Sequence, residues 1–140
     1  PEVNDMTLRN VAFENNDIVN ADVGIAVWCW RGGSIENARW VNNHFEGIGA
    51  VKKEGPNAKE NTMRLTIRNV EGKGHVRNLL IKDNTFERFG PQEAVIDGLD
   101  AEHIFDGVTI ENLIVQGKRR TSAADAGIKV GQFTRNVTFK

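Results

Sequence analysis

Residues 10–18 read N-V-A-F-E-N-N-D-I, and residues 37–45 read N-A-R-W-V-N-N-H-F. The same frame returns at 78–86 as N-L-L-I-K-D-N-T-F, at 107–112 as G-V-T-I-E-N and at 136–140 as N-V-T-F-K. The starts are 27, 41, 29 and 29 residues apart, so the unit is about 28 residues and one step carries an insertion, roughly Glu54 to Val70. Stacked, the copies give apolar columns. Val11, Ala38, Leu79, Val108 and Val137 form one, and Phe13, Trp40, Ile81, Ile110 and Phe139 the next. Mostly polar residues alternate with them, which is the period of a half-buried strand. Asn16, Asn43 and Asn84 share one position, where an aligned Asn can bond its neighbours above and below. Ile18, Phe45 and Phe86 then return to the interior.

A second strand per unit is expected at Gly24–Trp30, Ile48–Lys52, Glu93–Asp97 and Gly127–Gly131, with the insertion carrying its own strand at Leu65–Val70. Short strands at a fixed repeat, without hairpin signals, describe a solenoid whose units bury their apolar faces only by stacking. Fifteen Asn and 14 Gly fit a chain that turns often.

The N-x-x-[FWI]-x-[ND]-N-x-[FI] copies resemble the rungs of right-handed parallel β-helices, the pectate lyase, polygalacturonase and dextranase-like group. The resemblance covers nearly all 140 residues and implies an all-β, right-handed parallel β-helix of about five coils in a single domain. Gly117–Phe139 is similar to the last coil of such proteins. Both ends read as cut from a longer, multidomain chain.

Composition narrows the function. Eighteen Lys+Arg against 19 Asp+Glu give no field to draw nucleic acid or an anionic membrane. No apolar run reaches bilayer length. A lone Cys29 excludes an internal disulfide and a thiolate metal cluster, and the first residues lack a signal-peptide pattern.

The most distinctive local feature is Trp28-Cys29-Trp30. Ile25, Val27 and Cys29 share a parity that suits a narrow interior. Ala26, Trp28 and Trp30 then point outward, the indoles about 7 Å apart. Such a pair offers a stacking platform for sugar rings; with the parity reversed, or beneath a covering loop, it is packing instead. Arg31 is a donor for sugar hydroxyls or a solvated turn cation. Lys52 and Asp97 are expected to align near Trp28 and complete a groove, with the insertion as a wall. Cys29 reads as a small buried hydrophobe, and His44, His75 and His103 share no ligand spacing.

Asp97, Asp100, Glu102 and Asp106 are the best carboxylates for glycoside hydrolysis, which needs a positioned pair. The polygalacturonase motifs argue against it: no Asp-Asp pair occurs, Gly74-His75 only echoes one motif, and Gly127-Ile128-Lys129 lacks the arginine of another. Calcium coordination by Asp97, Asp100 and Asp106 is a further reading, but no dense carboxylate run supports it, and neither metal nor cofactor is expected. The resemblance extends to β-helical carbohydrate-binding modules attached to xylanases. It implies a secreted, non-catalytic module that brings a linked glycoside hydrolase to a plant cell-wall polysaccharide, xylan favoured, with Trp28, Trp30, Arg31, Lys52 and Asp97 as contacts. The alternatives are a C-terminal fragment of a β-helix hydrolase or lyase, and a purely structural β-helix.

Overall fold

The computed structural model describes residues 1–21, 23–48, 74–87 and 94–140, and 61–67 through their backbone. Among the described residues every regular element is a β-strand. Among the described residues the strands fall into five sets, or tiers, each pairing with the next. The first holds β1 (Glu2–Asn4), β2 (Thr7–Arg9), β3 (Ala12–Glu14) and β4 (Asp17–Val19). The second holds β5 (Val23–Trp30), β6 (Ser34–Glu36), β7 (Arg39–Val41) and β8 (His44–Glu46). The third holds β9 (Asn61–Ile67), β10 (Val76–Lys82) and β11 (Thr85–Glu87), and the fourth β12 (Ala94–Asp97), β13 (Phe105–Glu111) and β14 (Leu113–Val115). A short strand, β15 (Lys118–Arg120), precedes β16 (Ile128–Val130) and β17 (Thr134–Phe139) of the fifth tier.

Three sheets result, parallel throughout except for the β14–β15 pair. One runs β1-β5-β9-β12-β16, the second runs from β2 and β3 through β6 and β7 to β10, β13 and β17, and the third runs β4-β8-β11-β14-β15. The repeat columns are rows of paired residues: Phe13, Trp40, Ile81, Ile110 and Phe139 stand in register across the second sheet. Their inner members form the core, with Trp40 4%, Ile81 0% and Ile110 1% exposed. In the third sheet Phe45 stacks on Phe86, centroids 4.4 Å apart.

Asparagine makes the corners. Asn10, Asn37, Asn78 and Asn136 hold φ of 58°, 57°, 55° and 54°, and Asn15, Asn42, Asp83 and Asn112 hold 57°, 54°, 54° and 49°. Asn and Asp tolerate this left-handed region better than other side chains. The corner does not interrupt the ladder: the Asn37 N–H bonds the Arg77 carbonyl at 3.0 Å and the Asn42 N–H that of Lys82 at 3.0 Å. Gly107, φ 79°, takes the fourth-tier place in the first column, where an added Cβ would come 3.1 Å from Asn78 Oδ1.

Inside the corner, Asn16, Asn43 and Asn84 form the expected ladder. Asn16 Nδ2 donates to Asn43 Oδ1 at 2.8 Å and Asn43 Nδ2 to Asn84 Oδ1 at 2.9 Å. Asn84 turns its own amide to the carbonyls of Trp40 and Lys82, 2.8 and 3.0 Å away. These bonds allow two amides at 2% and 0% exposure to sit in an apolar core.

Two expectations are corrected. The strand that pairs with β5 and β12 is β9, within the segment read as an insertion carrying its own strand. Residues 49–60 lie outside the described ones, and with them most of the strand expected at Ile48–Lys52. Secondly, a hairpin does occur: β14 and β15 pair antiparallel around Gln116 and Gly117. β15 covers the last edge of the third sheet and presents exposed Lys118 and Arg119, charges that discourage further strand addition.

Candidate functional site

The outer face of the first sheet carries the tryptophans. Ile25, Val27 and Cys29 are 0%, 0% and 1% exposed, so the inward parity is the expected one. Burial pushes the Cys29 thiol up to about 12, which leaves it protonated and unreactive. Trp28 and Trp30 alternate with these residues and are half-buried. The indole nitrogen of each is shielded from solvent, so whatever the rings offer to solvent lies away from that edge. Trp28 stands opposite Glu2 on one side and Thr66 on the other, and Trp30 opposite Asn4.

Arg31 follows in a turn closed by the Gly33 N–H on the Trp30 carbonyl at 2.7 Å. It is exposed and left-handed, φ 45°. Gly33 has to lack a side chain there, because a Cβ would lie 2.8 Å from the Val3 carbonyl oxygen. Trp28, Trp30 and Arg31 therefore occupy one short, rigid stretch at the end of β5.

Asp97 falls in the same row as Trp28, through Thr66. Its carboxylate packs over Gly131, leaving no room for a Cβ, and Oδ1 accepts the Phe133 N–H at 3.2 Å. That side chain is fixed on the neighbouring turn. Lys52 lies outside the described residues, and the third-tier position opposite Trp28 is Thr66.

The acidic segment is occupied by local bonds. Asp100 Oδ1 accepts the N–H groups of Glu102 and His103 at 2.9 and 3.0 Å and lies 2.6 Å from His103 Nδ1. Desolvation pushes the Asp100 carboxyl up, but the His103 ring and the two N–H groups together hold it below its ordinary value. Asp106 Oδ1 accepts from Asn136 Nδ2 at 2.7 Å. Among the described residues no three acidic, His or Cys groups gather as a cation would need.

Sequence reading missed a second cluster, one corner beyond Trp30. His75 Nε2 lies 2.7 Å from Glu36 Oε1, and His75 Nδ1 3.4 Å from Ser34 Oγ. The His75 N–H also donates to Ser34 Oγ at 3.2 Å, and Arg9 Nε meets the other Glu36 oxygen at 2.6 Å. Hydrogen bonds from Arg9 and then His75 hold the Glu36 carboxyl below its ordinary value. Ser34 and His75 are 41 residues apart and Arg9 and Glu36 are 27 apart, the same steps that separate the repeat copies. Laying the copies side by side would have brought all four together.

At the first-tier end an open groove of about 410 Å³ is lined by Phe13, Asn16, Asp17, Ile18, Trp40 and Phe45, with Pro1, Gly24 and Ala26. The chain matches no family model, no curated protein and no solved structure.

Proposed function

We propose that the five tiers form a right-handed parallel β-helix that serves as a carbohydrate-binding module. The observation that carries this reading is the outward parity of Trp28 and Trp30 on a strand whose other face is sealed in the core. Aromatic faces suit the C–H faces of sugar rings, and two of them two residues apart address successive rings of an extended chain. Arg31 supplies hydrogen-bond donors beside them. Asp97, tied to Phe133, supports the platform's far edge and leaves the gripping role to the indoles and Arg31.

The ligand class is an uncharged, β-linked plant cell-wall polysaccharide, xylan favoured, in keeping with the near-balanced charge of the chain. The stacked strands hold the platform in place before binding, which lowers the ordering cost. In a secreted parent protein the module would concentrate a linked glycoside hydrolase on its substrate. Cleavage of the glycosidic bond is not assigned to this chain, because Asp97, Asp100 and Asp106 are each engaged by their own neighbours.

Affinity electrophoresis on xylan, mixed-linkage glucan, mannan and pectin tests the reading. Retardation on xylan is expected, and Trp28→Ala or Trp30→Ala should weaken it by roughly 5- to 150-fold, the loss of about 1–3 kcal/mol of ring stacking. Equal migration of wild type and both variants in every gel overturns the platform.

A further inference from the structure

We propose that Ser34, His75 and Glu36 form an acyl-transfer site that cleaves small carboxylate esters through an acyl-Ser34 intermediate. This activity goes beyond polysaccharide binding and stands without it. The arrangement is a nucleophile, a base and a group that orients the base, the three roles ester cleavage needs. Ser34 and Glu36 lie two residues apart on one face of β6, and His75 immediately precedes β10, the adjoining strand in the sheet. The imidazole therefore reaches both side chains from a fixed backbone.

Protonation follows from the contacts. Glu36 is an acceptor, so the ring nitrogen facing it, Nε2, carries the hydrogen in the neutral imidazole. Nδ1 is then the free base, and it faces Ser34 Oγ at 3.4 Å, a separation of the loose kind such pairs show before substrate arrives. Arg9 holds the second Glu36 oxygen and keeps the carboxylate ionised. Glu36 and Arg9 are positioning residues. Arg77 stands beside Glu36 in register, with Asp106 beyond it.

In the acylation step Ser34 Oγ attacks the ester carbonyl carbon while its proton moves to His75 Nδ1. The bond from that carbon to the alcohol oxygen breaks, and Nδ1 returns the proton to the departing oxygen. The products are acyl-Ser34 and a free alcohol. Water then attacks the acyl carbon, gives a proton to Nδ1, and Ser34 recovers that proton as the carboxylic acid leaves. Ser34 is 4% exposed, so the site takes short acyl groups of the acetyl class.

The chain has two serines, which gives an internal control. Ser122 is exposed, and its Oγ accepts the Asp125 N–H. The folded protein is treated with p-nitrophenyl acetate and, separately, with an alkyl fluorophosphonate, and the adduct is located by peptide mass mapping. Modification of buried Ser34 ahead of exposed Ser122 is expected, with loss of the Ser34 adduct in Ser34→Ala. In His75→Gln labelling should slow by about 100-fold, the lower range of general-base catalysis. Glu36→Gln should slow Ser34 labelling with Ser122 labelling unchanged, and Glu36→Asp should restore part of the rate; a purely structural role would give no such recovery. Labelling of Ser122 ahead of Ser34, or no Ser34 adduct in folded wild type, overturns the proposal, whether or not any variant folds.

Discussion

Two copies of one motif meet different fates. Asn10–Ile18 and Asn37–Phe45 share their frame, and Phe13 stacks on Trp40 with centroids 5.3 Å apart. Yet Phe13 is 36% exposed and Trp40 4%, and Asn16 is exposed where Asn43 is 2%. The difference lies in position, not in composition. Among the described residues the second tier pairs on both sides and the first on one. A repeat of this kind encodes a complementary pair of surfaces, and burial comes only when both are met. Side-chain substitutions should therefore cost more in the second and third tiers than at the equivalent place in the first.

The aromatic columns give the largest expected contrast. Phe86→Ala removes a ring that is 2% exposed and stacked on Phe45, and the melting free energy should fall by roughly 3–5 kcal/mol. Phe13→Ala removes a ring already about a third exposed and should cost about 1 kcal/mol. Chemical denaturation of the two variants measures the ratio, and equal losses would show that the first tier is as well packed as the interior.

Next in size is the amide ladder. Asn43→Leu removes the amide donor to the Asn84 and Phe13 carbonyls, leaving Asn84 Oδ1 only the backbone N–H of residue 43, and removes the acceptor of the Asn16 backbone and side-chain amides. Buried polar groups left unmet cost about 1–3 kcal/mol each, so a loss of roughly 3 kcal/mol is expected. Asn16→Leu removes the outermost member, whose position water reaches, and should cost about 1 kcal/mol or less in the same melts. A large loss at Asn16 would mean that the ladder acts as one cooperative unit from its end.

The repeat made much of this legible. Columns headed by Phe13 and Asn16, and the inward parity of Cys29, are visible as soon as the copies are aligned, because parallel stacking puts equivalent residues directly over one another. The outer-sheet register was not legible across the long step. Ile48–Lys52 and Asn61–Ile67 both carry strand-forming residues, and local propensity cannot choose between them; the pairing of β5 with β9 does. The cluster of Ser34, Glu36, His75 and Arg9 was hidden for a related reason. Residue spacing along one strand shows Ser34 and Glu36 together, but the histidine and the arginine arrive from other tiers. The fate of Asp97 needed the turn at Phe133, whose N–H lies 36 residues away along the chain.

The smallest effect concerns how the first tier is fastened to the second. Arg9 and Glu36 join them at 2.6 Å, with His75 arriving from the third tier. Folding lowers the Glu36 carboxyl pKa, chiefly through the Arg9 hydrogen bond and then that of His75. A carboxyl lowered by folding stabilises the native state above its ordinary value of 4.5, and that contribution disappears as pH falls through the lower folded value. Wild type should therefore melt at a higher temperature than Glu36→Gln at pH 7, with the gap closing as the pH is taken below 4.5. The shift should be small, because exposed pairs of this kind contribute little and salt screens them. Repeating the melts in high salt should narrow the gap at pH 7 and leave the Phe86→Ala loss untouched. A gap that persists at low pH would place the contribution of Glu36 in packing instead of charge.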